Sequence, residues 1–285
     1  MRAPAQFGPS PSRQTAWDAR AAVNFMAGGA GGGLIVVTTL AGIEGAARAV
    51  LVLVSLALIG AGLLAVWHEL GRPWRALNVF FHPHTSWMSR EAIAATLLFP
   101  TALGAAAGVA ACSWASAALA GAFVICQARM LQASRGIPAW REPLVVPLLV
   151  VTALAEGAGI FVVVSTLLPI GTRGSALALG ALALLRIVAW LVYRRAVART
   201  AAAPALRALD HAGRALHWVG TLAPLALIVL ASSGVLGNGP SGVLLACAGV
   251  AVVAAGAFVK YVLVLRAGFT QGFALAHRPV RGARV

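Results

Sequence analysis

The chain has 285 residues, of which 60% are hydrophobic and only 10% are charged, and its mean hydropathy is +0.89. Soluble domains carry about 25% charged residues, so this composition excludes a soluble protein. The net charge of +15 does not indicate nucleic-acid binding, because most Arg residues flank apolar segments, where basic side chains set topology and meet anionic membrane lipid.

Apolar stretches of about 20 residues, the length that crosses ~30 Å of hydrocarbon, recur along the chain. They predict an all-α polytopic membrane protein with eight transmembrane helices, in a single integral membrane domain over residues 1–285. The spans are expected near 20–41, 47–67, 91–111, 114–133, 143–168, 175–194, 212–234 and 241–266. A polar N-terminal tail (1–16) and a C-terminal cytoplasmic tail (267–285) flank them, and a tight junction at Cys112 and Ser113 separates the third span from the fourth.

The distribution of basic residues predicts the orientation. An even number of spans puts both termini on one side. Nineteen of the 22 Lys and Arg residues, Lys260 among them, then lie on the side of the termini, whereas Arg48 and Arg173 lie opposite and Arg186 lies within the sixth span. Cytoplasmic loops are enriched in basic residues. We therefore expect both termini, and the connection from residue 68 to 91, to be cytoplasmic.

The first span is rich in glycine and carries Asn24. Glycines let helices approach closely in lipid, and they can also leave room for a bound ring or tail. Asn24 lies one turn beyond Arg20, where its side chain is placed to bond either a ligand carbonyl or a neighbouring helix.

The connection between the second and third spans concentrates polar residues, with three of the six His and two of the seven acidic residues. His68 follows the second span and Glu91 opens the third, so antiparallel packing brings the two to one membrane surface. A neutral His can donate to a quinone oxygen and can carry a proton near neutral pH. This pattern favours a quinone head-group site. The alternative is that the two residues cap helices, or that Glu91 pairs with Arg72 or Arg75.

Three Trp residues mark the same boundary, namely Trp67, Trp74 and Trp87. Indoles are favoured at the membrane interface as anchors. The alternative is that one of them stacks on a quinone.

Two ionisable residues lie within later spans, and such groups are functional candidates. Glu156 falls in the middle of the fifth span and Arg186 inside the sixth. They indicate either a proton path through Glu156 or a structural ion pair between the two. In a secondary transporter they would be the coupling residues, although the two halves of the chain show no convincing repeat.

Cysteine and histidine placement gives no sign of a metal centre. The residues Cys112, Cys126 and Cys247 form no CxxC pair, and only His217 of the six His falls within a span. We therefore expect no iron–sulfur cluster, haem or other metal in this chain, and we expect the cysteines to be small buried hydrophobes.

The run from His68 to Arg75 (HELGRPWR), followed by Ser86, Trp87, Ser89, Arg90 and Glu91, resembles the NrfD/DmsC-type membrane anchors of molybdopterin oxidoreductases. The segment 134–138 and the residues Lys260, Tyr261, Gly272 and Phe273 are similar as well, so the resemblance extends over most of the chain. It implies quinone-site roles for His68 and Glu91, with Arg72 and Arg75 as the basic residues of the site. Some relatives use a Tyr of the fourth span, where this chain offers Gln127 and Arg129 instead.

The resemblance also implies a function. Such an anchor is not catalytic alone. It binds menaquinone or ubiquinone and exchanges electrons with a ferredoxin-like subunit that carries four [4Fe-4S] clusters. That subunit in turn serves a catalytic subunit with a molybdenum or tungsten bis-pyranopterin. The pattern is similar to the anchor of phenylacetyl-CoA:acceptor oxidoreductase, and the charge bias places the complex on the cytoplasmic face of a bacterial inner membrane. A purely structural assembly anchor is the remaining alternative.

Overall fold

The computed structural model describes residues 10–70, 72–168, 173–233, 235 and 237–272. Eight long helices follow one another within these ranges: α1 Ala19–Leu40, α2 Gly45–Trp67, α3 Trp87–Ala106, α4 Ala110–Gln132, α5 Val145–Leu167, α6 Arg173–Val197, α7 Ala203–Ser232 and α8 Asn238–Tyr261, which a π-helical turn continues over Val262–Arg266. The chain is 81% helical, and its described part contains no strand beyond one isolated bridge. The all-α prediction is confirmed.

Seven helices of the described chain are long and apolar enough to cross a membrane. Helix α3 is not among them. It has 20 residues and carries Arg90 and Glu91 near its start, yet it packs lengthwise against α2 and α4. The protein is therefore a multi-pass membrane protein, and its number of spans is close to the eight that the sequence predicts.

Helices α1 and α5 form the centre of the bundle. About 72% and 67% of their most apolar windows are buried, against 39% or less for the other five candidate spans. Glycines allow the two helices to touch, since a Cβ on Gly33 would overlap the carbonyl of Ala153, and one on Gly157 would overlap the backbone of Gly33. The glycines of the first span therefore allow α1 to pack closely against α5.

The junction between α3 and α4 lies a few residues earlier than the sequence suggested. The chain turns at residues 107–109, where Gly108 adopts φ +99°, a conformation that L side chains avoid. The predicted junction residues Cys112 and Ser113 already belong to α4. The expectation of buried cysteines holds for Cys126 but is wrong for the others, because Cys112 is half-buried and Cys247 is exposed.

The connection between α2 and α3 folds into a 3₁₀ helix, Pro73–Phe81. Its large apolar side chains point outward: Trp74 is 88% exposed, Leu77 63% and Phe81 72%. Such residues lie three to four positions apart and form a stripe along the helix. In a membrane protein, an exposed apolar stripe on a short connecting helix is suited to the bilayer interface.

The N-terminal and C-terminal segments meet at this same end of the bundle. The backbone amide of Gln14 donates to the carbonyl of Gly268 at 2.7 Å, and Ser12 and Thr270 exchange further hydrogen bonds. The remainder of the two predicted tails, residues 1–9 and 273–285, lies outside the described residues.

Candidate quinone site

A buried polar cluster joins α1, α3 and α4 near the end of the bundle where the termini meet. Its members, Asn24, Glu91 and Gln127, are only 3%, 4% and 3% exposed. The Asn24 amide donates from Nδ2 to Glu91 Oε1 at 3.1 Å, and the Gln127 amide donates from Nε2 to the backbone carbonyl of Asn24 at 3.0 Å. Asn24 is therefore the link between the acidic residue of α3 and the amide of α4.

The local backbone of α1 explains why its carbonyl is available. Residues Asn24–Gly28 form a π-helical turn inside α1. Such a turn widens the helix and changes the usual pairing of its carbonyls, and single π-turns are frequent at functional sites. Glycines also make room: a Cβ on Gly28 would lie 2.7 Å from Gln127 Nε2, and one on Gly62 would lie 3.0 Å from Asn24 Oδ1.

Glu91 lies deeper in the protein than the sequence suggested. Helix α3 begins at Trp87, with the Ser86 hydroxyl accepting from the Ser89 amide, so Glu91 lies in its second turn and does not open the helix. Among the described residues Glu91 forms no ion pair, and Arg72 and Arg75 are both exposed. The alternative that Glu91 caps α3 or pairs with one of these arginines is therefore wrong.

A cavity of about 600 Å³ opens beside this cluster, between α1, α2, α3 and the 3₁₀ helix. Its polar lining includes Asn24, Arg75 and His82, and its remaining walls are mostly apolar, with Leu63, Val66, Trp67, Leu70, Val79 and Met88 among them. A smaller cavity of about 280 Å³ lies on the other side of Asn24, against Phe25 and Glu69. The Asn24 side chain thus lines both cavities.

The predicted residue His68 lies outside the lining of the larger cavity. It is exposed at the end of α2, its Nδ1 lies 2.7 Å from the Leu64 carbonyl, and its ring packs edge-on against Trp67, 5.8 Å between centroids. Its backbone carbonyl accepts from Arg20 at 2.8 Å. The Trp67 ring, which lines the cavity, therefore lies beside His68, whereas His68 itself does not line the cavity. The predicted residues Arg72 and Trp74 are exposed and do not line it either.

The histidine that lines the cavity is His82, which sequence reasoning did not single out. It directly follows the 3₁₀ helix and lines the cavity together with residues of α2. The signal available in the sequence was the grouping of three histidines in one connection, which does not say which of them lines the cavity.

Two acidic groups at the mouth of the site have shifted pKa values of opposite sign. A hydrogen-bonded ion pair with Arg20, at 2.7 Å, lowers the pKa of Asp18. Partial burial raises the pKa of Glu69, and the negative charge of Asp18 adds to this effect. These two carboxyls flank Arg20, which links the start of α1 to the end of α2.

A second buried cluster surrounds Glu156 on the other side of α1. The sequence suggested a pair between Glu156 and Arg186, but Glu156 instead accepts from Lys260 Nζ at 2.5 Å. Arg186 donates to the carbonyls of Val252 and Gly220 at 2.8 and 2.7 Å, the latter inside a π-helical turn, Trp218–Leu222. Lys260, in the last turn of α8, is 2% exposed, so its side chain is buried in the bundle.

The two buried clusters lie back to back across α1. A Cβ on Gly28 would touch Gln127, whereas one on Gly29 would lie 2.5 Å from Lys260 Nζ. The amide of Gln127 and the ammonium of Lys260 are consequently no more than about 12 Å apart. No group of three or more His, Cys, Asp or Glu in the described residues is arranged to hold a metal ion.

These features define a polytopic helical membrane protein with a buried acid–amide cluster beside an interfacial cavity. Residues 22–131 match the family model of the DMSO reductase anchor subunit (DmsC). The match covers less than half of the chain, but it includes α1 to α4 and therefore the whole Asn24–Glu91–Gln127 cluster. It confirms the resemblance to DmsC-type anchors of molybdopterin oxidoreductases. No curated protein matches the chain.

Proposed function

We propose that this chain is a quinone-binding membrane anchor that passes electrons between the membrane quinone pool and a docked molybdopterin oxidoreductase. The observation that carries the proposal is the buried hydrogen bond between Asn24 and Glu91 beside a cavity of about 600 Å³ at one end of the bundle. The DmsC match over the same residues supports it.

The residues around the cavity fit a quinone head group. Binding sites for such molecules are mostly apolar with a few placed polar groups, and this cavity combines apolar walls with Asn24, Arg75 and His82. Asn24 Oδ1 is buried and has no hydrogen-bond partner in the described structure, so it can accept from a quinol hydroxyl. Arg75 donates, and His82 either donates or accepts, at the opposite wall.

Quinone reduction takes up two electrons and two protons, and the chain supplies a group that can hold one of the protons. Glu91 is the carboxyl group nearest to Asn24, and the amide of Asn24 orients its Oε1. His68, Arg72 and Trp74 belong to the outer rim in this proposal, where His68 can exchange protons with water because its ring is exposed.

Partners follow from the family. We propose that a ferredoxin-like subunit with [4Fe-4S] clusters docks on the end of the bundle that holds the cavity, and that it connects the anchor to a catalytic subunit with a molybdenum or tungsten bis-pyranopterin. The excess of basic residues at this end supports a cytoplasmic orientation in a bacterial inner membrane.

Binding of a fluorescent hydroxyquinoline N-oxide, a quinol analogue, to the purified complex tests the proposal. We expect Glu91→Gln and His82→Ala to weaken binding about tenfold or more (roughly 1–3 kcal/mol). His82 lines the cavity, and Glu91 holds the Asn24 amide that lines it. Glu44→Gln is the matched control, since Glu44 is exposed beyond the other end of α2. Unchanged affinity in both site variants would reject the quinone site and leave a purely structural anchor.

A secondary transporter is the alternative of another class, with Glu156 and Arg186 as coupling residues. The contacts give it less support, because Lys260 already neutralises Glu156 and two backbone carbonyls hold Arg186. Quinol-analogue binding that depends on Glu91 would also separate the anchor from a transporter.

A further inference from the structure

A second, cationic cleft lies at the same end of the bundle as the quinone cavity. It has a volume of about 690 Å³ and lies between the end of α4, the start of α3 and the short helix Pro138–Arg141. Its charged lining consists of Arg129, Arg135, Arg141 and Glu142. Thr85 lines both this cleft and the quinone cavity, so the two share a wall.

Two of the three arginines of the cleft, Arg129 and Arg141, donate to neutral groups. Arg129 donates to the Gln132 side chain at 2.6 Å, and Arg141 donates to the Gln271 side chain at 2.9 Å and to the Arg135 carbonyl at 3.3 Å. None of the three is in an ion pair with another described residue, Glu142 included. Their positive charges are therefore not balanced locally.

No other Asp or Glu side chain in the described part of the chain balances them. The chain has seven acidic residues, and the segments 1–9 and 273–285, which are not described, contain none. Asp18, Asp210 and Glu156 are paired with Arg20, Arg194 and Lys260, Glu91 is bonded to Asn24, Glu69 lines the smaller cavity, and Glu44 precedes α2 at the opposite end. Three guanidinium groups around one cleft, with a single carboxylate beside them, form a site for an anion from outside the chain.

The depth of the cleft indicates where the anion comes from. The Trp87 indole forms part of the cleft wall, and the guanidinium carbons of Arg90 and Arg129 lie 4.1 and 5.1 Å from its ring centroid. Trp is enriched at the membrane–water interface, and the exposed apolar stripe of the neighbouring 3₁₀ helix lies at this end as well. We therefore expect the cleft to lie level with the lipid head groups.

We propose that this cleft binds the phosphate of an anionic phospholipid head group. Arginine forks match phosphate oxygens with paired hydrogen bonds, and basic pockets between transmembrane helices are suited to anionic lipids. A volume of about 690 Å³ accommodates a head group larger than phosphate alone. Through Thr85, the bound lipid borders the quinone cavity and closes that side of it.

Native mass spectrometry of the full chain in complex with its docked subunits, purified in mild detergent and exchanged into nanodiscs of phosphatidylcholine with added phosphatidylglycerol, tests this assignment. We expect one tightly retained phosphatidylglycerol in the unmodified protein. Retention should fall at least tenfold in the double variant Arg135→Gln/Arg141→Gln. The matched control, Arg195→Gln/Arg199→Gln, removes two exposed charges near the end of α6 and should retain the lipid.

Three outcomes would overturn the proposal. Equal retention in both double variants would show that the cleft does not hold the lipid. Displacement of the lipid by millimolar inorganic phosphate would indicate a site for free phosphate. Loss of the iron–sulfur subunit with the lipid retained would indicate a docking surface for an acidic protein. Quinol-analogue binding, measured on the same samples, reports separately on the quinone site, and an unchanged elution profile establishes that the variants are folded.

Discussion

The Asn24 amide nitrogen lies 3.1 Å from Glu91 Oε1, and this buried contact joins two helices that are 67 residues apart in sequence. It fixes the orientation of Glu91, whose side chain is buried in the α1–α4 bundle. The oxygen of the same amide has no partner in the described structure and faces the region of Gly28 and Gly62. Asn24 thus holds the acid through its amide nitrogen, and in the proposed quinone site its amide oxygen accepts from the ligand.

Asn24→Leu is expected to weaken quinol-analogue binding about tenfold or more while the protein remains folded. Leucine has a similar volume, but it removes both the donor to Glu91 and the buried acceptor, each worth roughly 1–3 kcal/mol. The measurement is a fluorescence titration of the purified complex. Thr38→Val on the same helix, also buried, serves as the control. Affinity that stays within twofold in Asn24→Leu would contradict the role of this side chain.

Because α1 and α5 are in close contact, the stability of the bundle should depend strongly on the glycines between them. Gly33→Ala should destabilise the bundle by roughly 1–3 kcal/mol, because its Cβ would overlap the Ala153 carbonyl and the two helices would have to separate. Gly121→Ala is the control, since nothing lies within 4 Å of its Cβ and alanine favours a helix. Thermal unfolding in detergent measures both. A Gly33→Ala midpoint equal to or above that of Gly121→Ala would mean that the helices are not in contact.

Opposite pKa shifts at Glu69 and Asp18 predict opposite pH dependences. The raised pKa of Glu69 means that the folded protein binds its proton more tightly than the unfolded chain does, whose ordinary value is 4.5. Its contribution to stability is therefore present below pH 4.5 and is lost as the pH rises through the folded pKa. Relative to the unmodified protein, Glu69→Gln should gain stability between pH 4.5 and 7, as measured by unfolding midpoints across this range.

Asp18→Asn should show the reverse behaviour. Arg20 lowers the pKa of Asp18, so its contribution is present above its ordinary value of 3.8 and is lost as the pH falls through the folded pKa. The variant is expected to be less stable than the unmodified protein at neutral pH, and the difference should shrink in acid. Parallel pH profiles for the two variants would contradict this electrostatic arrangement around Arg20.

Hydropathy was sufficient to predict the helical membrane fold, because about 20 apolar residues leave few alternatives to a span. Hydropathy did not predict the turns and loop positions that depend on a single residue. The turn at Gly108 depends on a single left-handed residue, and the predicted junction at Cys112 was therefore placed too late. His82 lines the cavity only because the 3₁₀ helix folds back, which periodicity in a nine-residue connection does not show.

Lys260 shows a different reason for failure. A lysine near the end of an apolar stretch is typical of a helix terminus, and only the three-dimensional packing of α5 against α8 reveals that its partner is Glu156. Sequence reasoning correctly singled out Glu156 and Arg186 as unusual. It could not find Lys260 as the partner of Glu156, because an ion pair over 104 positions leaves no local pattern.

Removing one member of the Lys260–Glu156 pair is expected to destabilise the protein more than removing both. Lys260→Met alone should destabilise the protein by roughly 3–5 kcal/mol, because it leaves the carboxylate of Glu156 buried without its cation. The double variant Lys260→Met/Glu156→Leu should recover most of this loss, since both charges are gone. Unfolding midpoints in detergent give the comparison, with Arg195→Met as an exposed control. A double variant no more stable than Lys260→Met would show that the two charges do not compensate each other.

Glu156→Gln distinguishes a structural role of this pair from a proton path towards the quinone site. Gln127 and Lys260 lie on opposite sides of Gly28 and Gly29 and no more than about 12 Å apart, so water-mediated transfer between the clusters is within reach. If protons move by this route, the variant should lose proton uptake coupled to quinone turnover, measured in proteoliposomes with an internal pH dye, while quinol-analogue affinity stays unchanged. Unchanged turnover and coupling in a folded Glu156→Gln protein would end the proton-path hypothesis and leave the cluster with a purely structural role.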